Sequence, residues 1–256
     1  MRIVVKVGSS TLSHKTGRMN VRHVENIVKT LSDLKNAGHE IILVSSGSIA
    51  MGAGKLLLSE KPSDMPTKQA AAAVGQCELM YTYDRMFSLY NHVVAQILLT
   101  NEDIGEPSRL ENFQNTISRL LELGALPVIN ENDTVVTSEI AVGDNDTLSA
   151  YVAKHISADL LIILSDIDGL YTCDPRKDAN ARLIPIVEEI TPEIVALAGG
   201  TGSQLGTGGM QTKINAAVIA TGAGADMVII SGEKPELLYA AVDGQSVGTR
   251  FLGRRA

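Results

Sequence analysis

The chain has 256 residues, 45% of them hydrophobic and 20% charged, with a formal net charge of −7. That suits a globular α/β enzyme and argues against nucleic acid as a partner, which needs a basic stripe. No apolar run reaches the length of a membrane span, and Met1-Arg2-Ile3-Val4-Val5 lacks a signal-peptide layout. Cys77 and Cys173 are too few for a disulfide framework or a zinc site, so a reducing cytoplasm is the expected compartment.

Ile3 to Val7 is β-branched apart from Lys6 and reads as a buried parallel strand ending at Gly8-Ser9-Ser10-Thr11. Asn20 caps a predicted helix whose apolar face is Val24, Ile27, Val28, Leu31 and Leu34, stopped by Gly38. Ile41 to Val44 is the next strand, closed by Ser45-Ser46-Gly47-Ser48. Residues 55–67 read as a loop, and Thr67 to Leu89 as a helix with Gly75 a weak point inside it. Val93 to Leu99 and Leu126 to Ile129 are predicted strands around a helix from Leu110 to Leu123. Residues 134–143 alternate in polarity, as a small hairpin over a site would. A helix is expected over Thr147 to Ile156 and a strongly apolar strand over Leu160 to Leu164. Thr191-Pro192-Glu193 opens a short helix. Met210 to Ala223 is helix, Met227 to Ile230 strand and Pro235 to Ala241 helix. This alternation predicts a parallel sheet with helices on both faces.

Two polar loops stand out. Val142-Gly143-Asp144-Asn145-Asp146 precedes a helix, and Asp146 reads as its N-cap, with Asp144 and Asn145 just ahead. Asn130-Glu131-Asn132-Asp133 follows a strand, where open α/β sheets bind ligands. Both loops can accept from an ammonium group, donate through amides or hold a metal. Lys6 interrupts an apolar strand, which costs heavily unless its ammonium is paired or emerges at the strand end. Residues 201–213 are glycine-rich and open into a helix with Lys213 in its first turn, an arrangement that suits a phosphate. Ser165-Asp166-Ile167-Asp168-Gly169 reads either as a nucleotide-holding strand end or as a plain Asp-Gly turn. There is no Walker A loop, since Gly54-Lys55 is followed by Leu56. There is no dinucleotide fingerprint either, since Gln211 stands where a third glycine would be needed. His14, His23, His39, His92 and His155 fall in no metal or triad spacing.

Six motifs occur in the order seen in the glutamate 5-kinase family of the amino acid kinase superfamily, which the chain resembles along its whole length. They are Lys6-Val7-Gly8-Ser9-Ser10, Ser45-Ser46-Gly47-Ser48, Asn130-Glu131-Asn132-Asp133, Gly143-Asp144-Asn145-Asp146-Thr147, Asp168-Gly169-Leu170-Tyr171, and Gly206-Thr207-Gly208-Gly209-Met210-Gln211-Thr212-Lys213. The resemblance implies a three-layer αβα sandwich with a mostly parallel open central sheet. It implies one kinase domain over residues 1–256, without the C-terminal PUA domain that many members carry. It implies ATP with magnesium and phosphorylation of the γ-carboxylate of L-glutamate, the first step of proline synthesis. By the same resemblance Lys6 and Lys213 stabilise the transferring phosphoryl group and Asp146 holds both lysines. Ser46, Asp133 and Asn145 bind glutamate. Lys6, Gly8, Ser9, Ser165, Asp166, Thr207, Gly208, Gly209, Met210, Gln211, Thr212 and Lys213 line the ATP site, with no protein metal ligand assigned. L-Proline as feedback inhibitor, a homo-oligomer (dimer or tetramer) and an association with glutamyl phosphate reductase complete the expectations. Related kinases acting on aspartate, acetylglutamate, carbamate or a nucleoside monophosphate are the rivals, together with a non-catalytic amino-acid-binding regulator. The acidic loops favour an acceptor with a free ammonium, which acetylglutamate lacks.

Overall fold

A computed structural model describes residues 1–14, 16, 18–60, 62–135, 144–198 and 209–254. One eight-stranded sheet runs through it. Its strands are β1 (Arg2–Val7), β2 (Glu40–Val44), β3 (Val94–Leu99), β4 (Leu126–Glu131), β5 (Leu160–Ser165), β6 (Ile186–Val187), β7 (Asp226–Ser231) and β8 (Thr249–Phe251). Their order across the sheet is β3-β4-β2-β1-β5-β7-β8-β6. Neighbours are parallel except β7 and β8, which run antiparallel. The periodicity had predicted neither β6 nor β8: two or three residues are too few to display it.

Helices cover both faces: α1 (Ser9–Leu12), α2 (Val21–Asn36), α3 (Ser48–Lys55), α4 (Met65–Ser88), α5 (Asn101–Gly105), α6 (Pro107–Glu122), α7 (Asn145–His155), α8 (Pro192–Ala198), α9 (Met210–Gly222) and α10 (Leu237–Val242). Each face has its own apolar core. Ile3, Val5 and Val7 of β1 point to one side, among residues of α2, α4 and α10. Val4 points to the other, among residues of α6, α7 and α9. Successive strand residues alternate faces, so Lys6 shares the face of Val4 and is aimed at α7 and α9.

Local signals account for most helix starts. Asn20 accepts from the His23 N–H at the start of α2, and Asp64 from the Thr67 N–H at the start of α4, with Pro66 behind it. Thr100 and Asp103 form a reciprocal capping box on α5. The expected loop over residues 55–67 is shorter than read, because α3 reaches Lys55 and α4 begins at Met65. Gly75, expected to weaken α4, is instead where α4 touches α3: an added Cβ would lie 1.8 Å from the Ser48 carbonyl oxygen. Gly52 on α3 is equally close to α4, its Cβ falling 1.7 Å from the Ala71 carbonyl oxygen. The predicted hairpin falls mainly on residues 136–143, outside the described residues, as does the glycine-rich stretch up to Gly208.

Candidate active site

The C-terminal end of β1 brings Lys6 to the first turn of α7, where its Nζ lies 2.6 Å from Asp146 Oδ1. Lys213, in the first turn of α9, reaches Asp146 Oδ2 at 3.1 Å. Thr212 adds a hydrogen bond to the same oxygen at 3.0 Å. All three charged groups are out of water: Lys6 is 8% exposed, Lys213 5% and Asp146 0%. Burial of Asp146 opposes ionisation, but the ammonium groups of Lys6 and Lys213 outweigh it and hold the carboxyl below its usual range. Among the described residues two ammonium groups face this one carboxylate, at a place where the starts of α7 and α9 also favour an anion.

Asp146 is not the cap of α7, contrary to the sequence reading. Asp144 is, accepting from the Thr147 N–H at 2.9 Å. That shift puts Asn145 and Asp146 inside the first turn rather than ahead of it. The reason is long-range: Asp146 is drawn inward by two lysines that the local sequence does not reveal. Burial raises the Asp144 pKa, and the neighbouring Asp146 charge adds to the effect.

A second cluster lies beside the first, because β2 neighbours β1 and Lys6 is in register with Val44. The segment Ser45-Ser46-Gly47 follows directly. Asn145 donates from Nδ2 toward Ser45 O at 2.7 Å, Ser46 Oγ at 2.8 Å and Asn130 Oδ1 at 2.9 Å. Gly47, at φ +94°, turns the chain into α3. Ser48, the first residue of α3, donates to Asp133 Oδ2 at 2.6 Å. Burial pushes the Asp133 carboxyl above its usual range despite that bond, as expected of a carboxylate short of a cation. Asn130 and Glu131, read as loop, belong to β4.

The remaining candidate residues are spread around the triad. Gly8 abuts Lys6, an added Cβ lying 3.6 Å from Nζ, and Ser9 follows it as the first residue of α1. Ser165 ends β5, donates to Asp166 Oδ1 at 3.1 Å and accepts at its carbonyl from the Gly232 N–H. Gly209 is the N-cap of α9 without any side-chain cap. Met210 packs on the core, whereas the Gln211 side chain bonds Asn215 along its own helix. Thr207 and Gly208 lie outside the described residues. Asp168 accepts from the Tyr171 hydroxyl.

Two buried polar residues of α4 had been missed. Gln76 accepts from Asn130 Nδ2 at 2.8 Å, and the Tyr83 hydroxyl meets Ser45 Oγ at 2.9 Å. Burial drives the Tyr83 pKa up to about 12 against the opposing Ser45 bond. The available signal was a helical face on which Gln76 keeps company with Leu79, Tyr83 and Phe87. A separate cavity of about 400 Å³ touches Met1, Asp159, Asp226 and Arg250 at the opposite ends of the strands. Its two carboxylates are already engaged, Asp159 with Arg2 and Asp226 with Arg250 and Gly253. Among the described residues no cluster of three or more His, Cys, Asp or Glu is arranged to hold a metal ion, and no helix is long and apolar enough to cross a membrane.

Residues 1–231 match the amino acid kinase family, and the chain belongs to it. The fold agrees: carbamate kinase from Giardia lamblia bound to AMP-PNP superposes with a TM-score of 0.69 at 18% identity, covering 99% of this chain and 98% of that one. Isopentenyl phosphate kinase from T. acidophilum gives 0.67 at 16%, over 98% of this chain and all of the other. Within the family, the chain is similar to the glutamate 5-kinases. It is 56% identical to that of Clostridium tetani over 97% of this chain and 93% of the relative. It is 54% identical to that of Carboxydothermus hydrogenoformans over 99% of this chain and 68% of the relative.

Proposed function

We propose that the protein transfers the γ-phosphoryl group of ATP to the γ-carboxylate of L-glutamate, giving L-glutamyl 5-phosphate, the first step of proline synthesis. One observation carries the reading: a buried Lys6–Asp146–Lys213 triad lies next to a polar cluster, Ser46, Asp133 and Asn145, that offers acceptors for an ammonium group. Its support is the high identity to relatives of that name.

The γ-carboxylate of glutamate is ionised at neutral pH, so no general base is needed. A carboxylate oxygen forms a bond to the γ-phosphorus as the bond to the β–γ bridging oxygen breaks, and the electron pair leaves with ADP. Lys6 and Lys213 meet the charge that develops on the transferring group and the bridging oxygen. Asp146 fixes both ammonium positions in advance, which limits reorganisation during the step. Asp133, Asn145 and Ser46 bind the amino-acid end and aim the carboxylate. Gly8, Ser9, Ser165, Asp166 and the segment Thr207 to Thr212 form the ATP side, where backbone N–H groups of Gly8, Ser9 and the start of α9 face the phosphates.

Magnesium fits this donor set as an ion carried in on the phosphates, because Asp146 is committed to its lysines; it would neutralise phosphate charge when bound. We read residues 1–256 as one kinase domain, supported by the single continuous sheet. A cytoplasmic homo-oligomer that associates with glutamyl phosphate reductase completes the proposal. The test is incubation with ATP, magnesium, glutamate and hydroxylamine. γ-Glutamyl hydroxamate that requires all of them is the expected result. ADP release indifferent to glutamate, or hydroxamate from a different carboxylate, would overturn the reading.

A further inference from the structure

Three amide side chains, Gln76, Asn130 and Asn145, are joined by hydrogen bonds beside Ser45 and Ser46, and a backbone group marks which way two of them face. The Glu131 backbone N–H can only donate, so the Asn130 atom 2.9 Å from it is Oδ1. The other end of that amide, Nδ2, therefore faces Gln76 Oε1 at 2.8 Å. The Ser45 carbonyl can only accept, so the Asn145 atom 2.7 Å from it is Nδ2. That same Nδ2 points at Asn130 Oδ1. The two protons of Asn145 Nδ2 are thus shared among three inward acceptors, counting Ser46 Oγ. No hydrogen bond among the described residues uses Asn145 Oδ1, which leaves that oxygen available to a ligand.

A turned-over Asn130 would set its oxygen against Gln76 Oε1 and its amine against Asn145 Nδ2. Asn130 is 1% exposed and Gln76 8%, so water could not relieve either mismatch. Among the described residues no hydrogen bond joins Gln76 to the triad or to Asn145 itself. We propose that Gln76 is a positioning residue: through Asn130 it locks the Asn145 amide with its carbonyl oxygen outward, and so sets the preference for an acceptor bearing a free ammonium. Together with Asp133, Asn145 would then offer two acceptors to the ammonium and reject a substrate lacking the donor. The inference deepens the glutamate reading and rests on it.

The experiment compares KM for L-glutamate with the inhibition constant of glutarate, the same dicarboxylate without its amino group, in the full chain. In the wild type glutarate should bind far more weakly than glutamate. Gln76→Met keeps the length and loses the acceptor. It should narrow the gap by about fivefold or more, chiefly by raising KM for glutamate, with KM for ATP unchanged. Gln76→Glu retains an acceptor and should keep the gap within about twofold. On an Asn145→Ala background, Gln76→Met should change the gap no further, because the effect travels through Asn145. Parallel weakening of glutamate and glutarate binding would mean a merely structural role and overturn the proposal, as would an unchanged ratio. If Gln76→Met fails to fold, Gln76→Glu decides: loss of selectivity there overturns it. A wild type that makes no glutamyl product fails the glutamate reading instead, and the two failures are told apart by that control.

Discussion

Asp146 is fully buried and Asp133 half-buried, and their carboxyl groups are pulled in opposite directions. The depressed pKa of Asp146 means that its contribution to stability is present above the ordinary carboxylate range and lost as pH falls through the depressed value. Asp133, raised by burial, behaves in reverse. Its contribution is present below the ordinary value and lost as pH rises through the raised one, so at neutral pH its charge costs stability. Asp133→Asn should therefore raise Tm of the ligand-free protein at pH 7, with the gain vanishing below about pH 4. The same change should raise KM for glutamate about tenfold or more and leave KM for ATP alone, because a charged hydrogen bond to the ammonium is lost. A Tm series against pH with initial rates checks both; equal effects on the two substrates would make Asp133 a structural cap. Lys6→Ala and Lys213→Ala should lower kcat by roughly 10²–10³, since each ammonium meets charge that grows in the transition state. Near-normal kcat in either variant would remove that residue from the mechanism.

At the scale of elements, α4 supports the pocket from behind. It supplies Gln76 and Tyr83 to the two segments that carry the acceptor residues, and Gly75 lets α3 lie against it. Ser48 opens α3 and holds Asp133, so the α3–α4 distance bears directly on the pocket. Gly75→Ala places a methyl group within 1.8 Å of the Ser48 carbonyl oxygen. A rigid backbone contact cannot yield as a side chain does, and overpacking of this kind costs about 1–3 kcal/mol or more. The expected outcome is a lower denaturation midpoint together with a higher KM for glutamate and little change in KM for ATP. Wild-type affinity in a destabilised Gly75→Ala protein would show that α3 can shift without moving Asp133.

For the molecule as a whole, the central position of β1 decides the chemistry. β1 lies between β2 and β5, which puts Lys6 beside the acceptor segment after β2 on one side and the Ser165 end of β5 on the other. Packing of α7 on α9 then brings Asp146 and Lys213 onto the same point. A feedback ligand that shared the pocket would need only these elements. L-Proline carries an α-carboxylate and a cationic nitrogen, as glutamate does, and on the proposed reading Asp133 and Asn145 would accept from that nitrogen. Proline is accordingly expected to raise the apparent KM for glutamate, with saturating glutamate relieving it and Asp133→Ala weakening it. Initial rates at several fixed proline concentrations measure this. Inhibition that glutamate cannot relieve would place proline elsewhere.

The amino-acid sequence by itself determined the run of strands and helices, because their cause is local. Ile3 to Val7 and Leu160 to Leu164 are apolar throughout except for Lys6, and α2 repeats its apolar residues at the helical period. It also marked Lys6 as an anomaly, a charge in an apolar strand that needs a partner, and placed Asp146 and Lys213 at helix starts suited to a ligand. The partner was not legible in any local pattern: the family resemblance implied that Asp146 holds both lysines, and the tertiary structure has both ion pairs. Whether Asp144 or Asp146 caps α7 depends on two lysines from distant segments, and no local pattern carries that information. The same holds for Gln76, whose place on α4 looks like an ordinary helical glutamine until Asn130 is packed against it. Backbone preference and periodicity act over a few residues, whereas the pairing of buried polar groups is settled by the desolvation cost of leaving any of them alone.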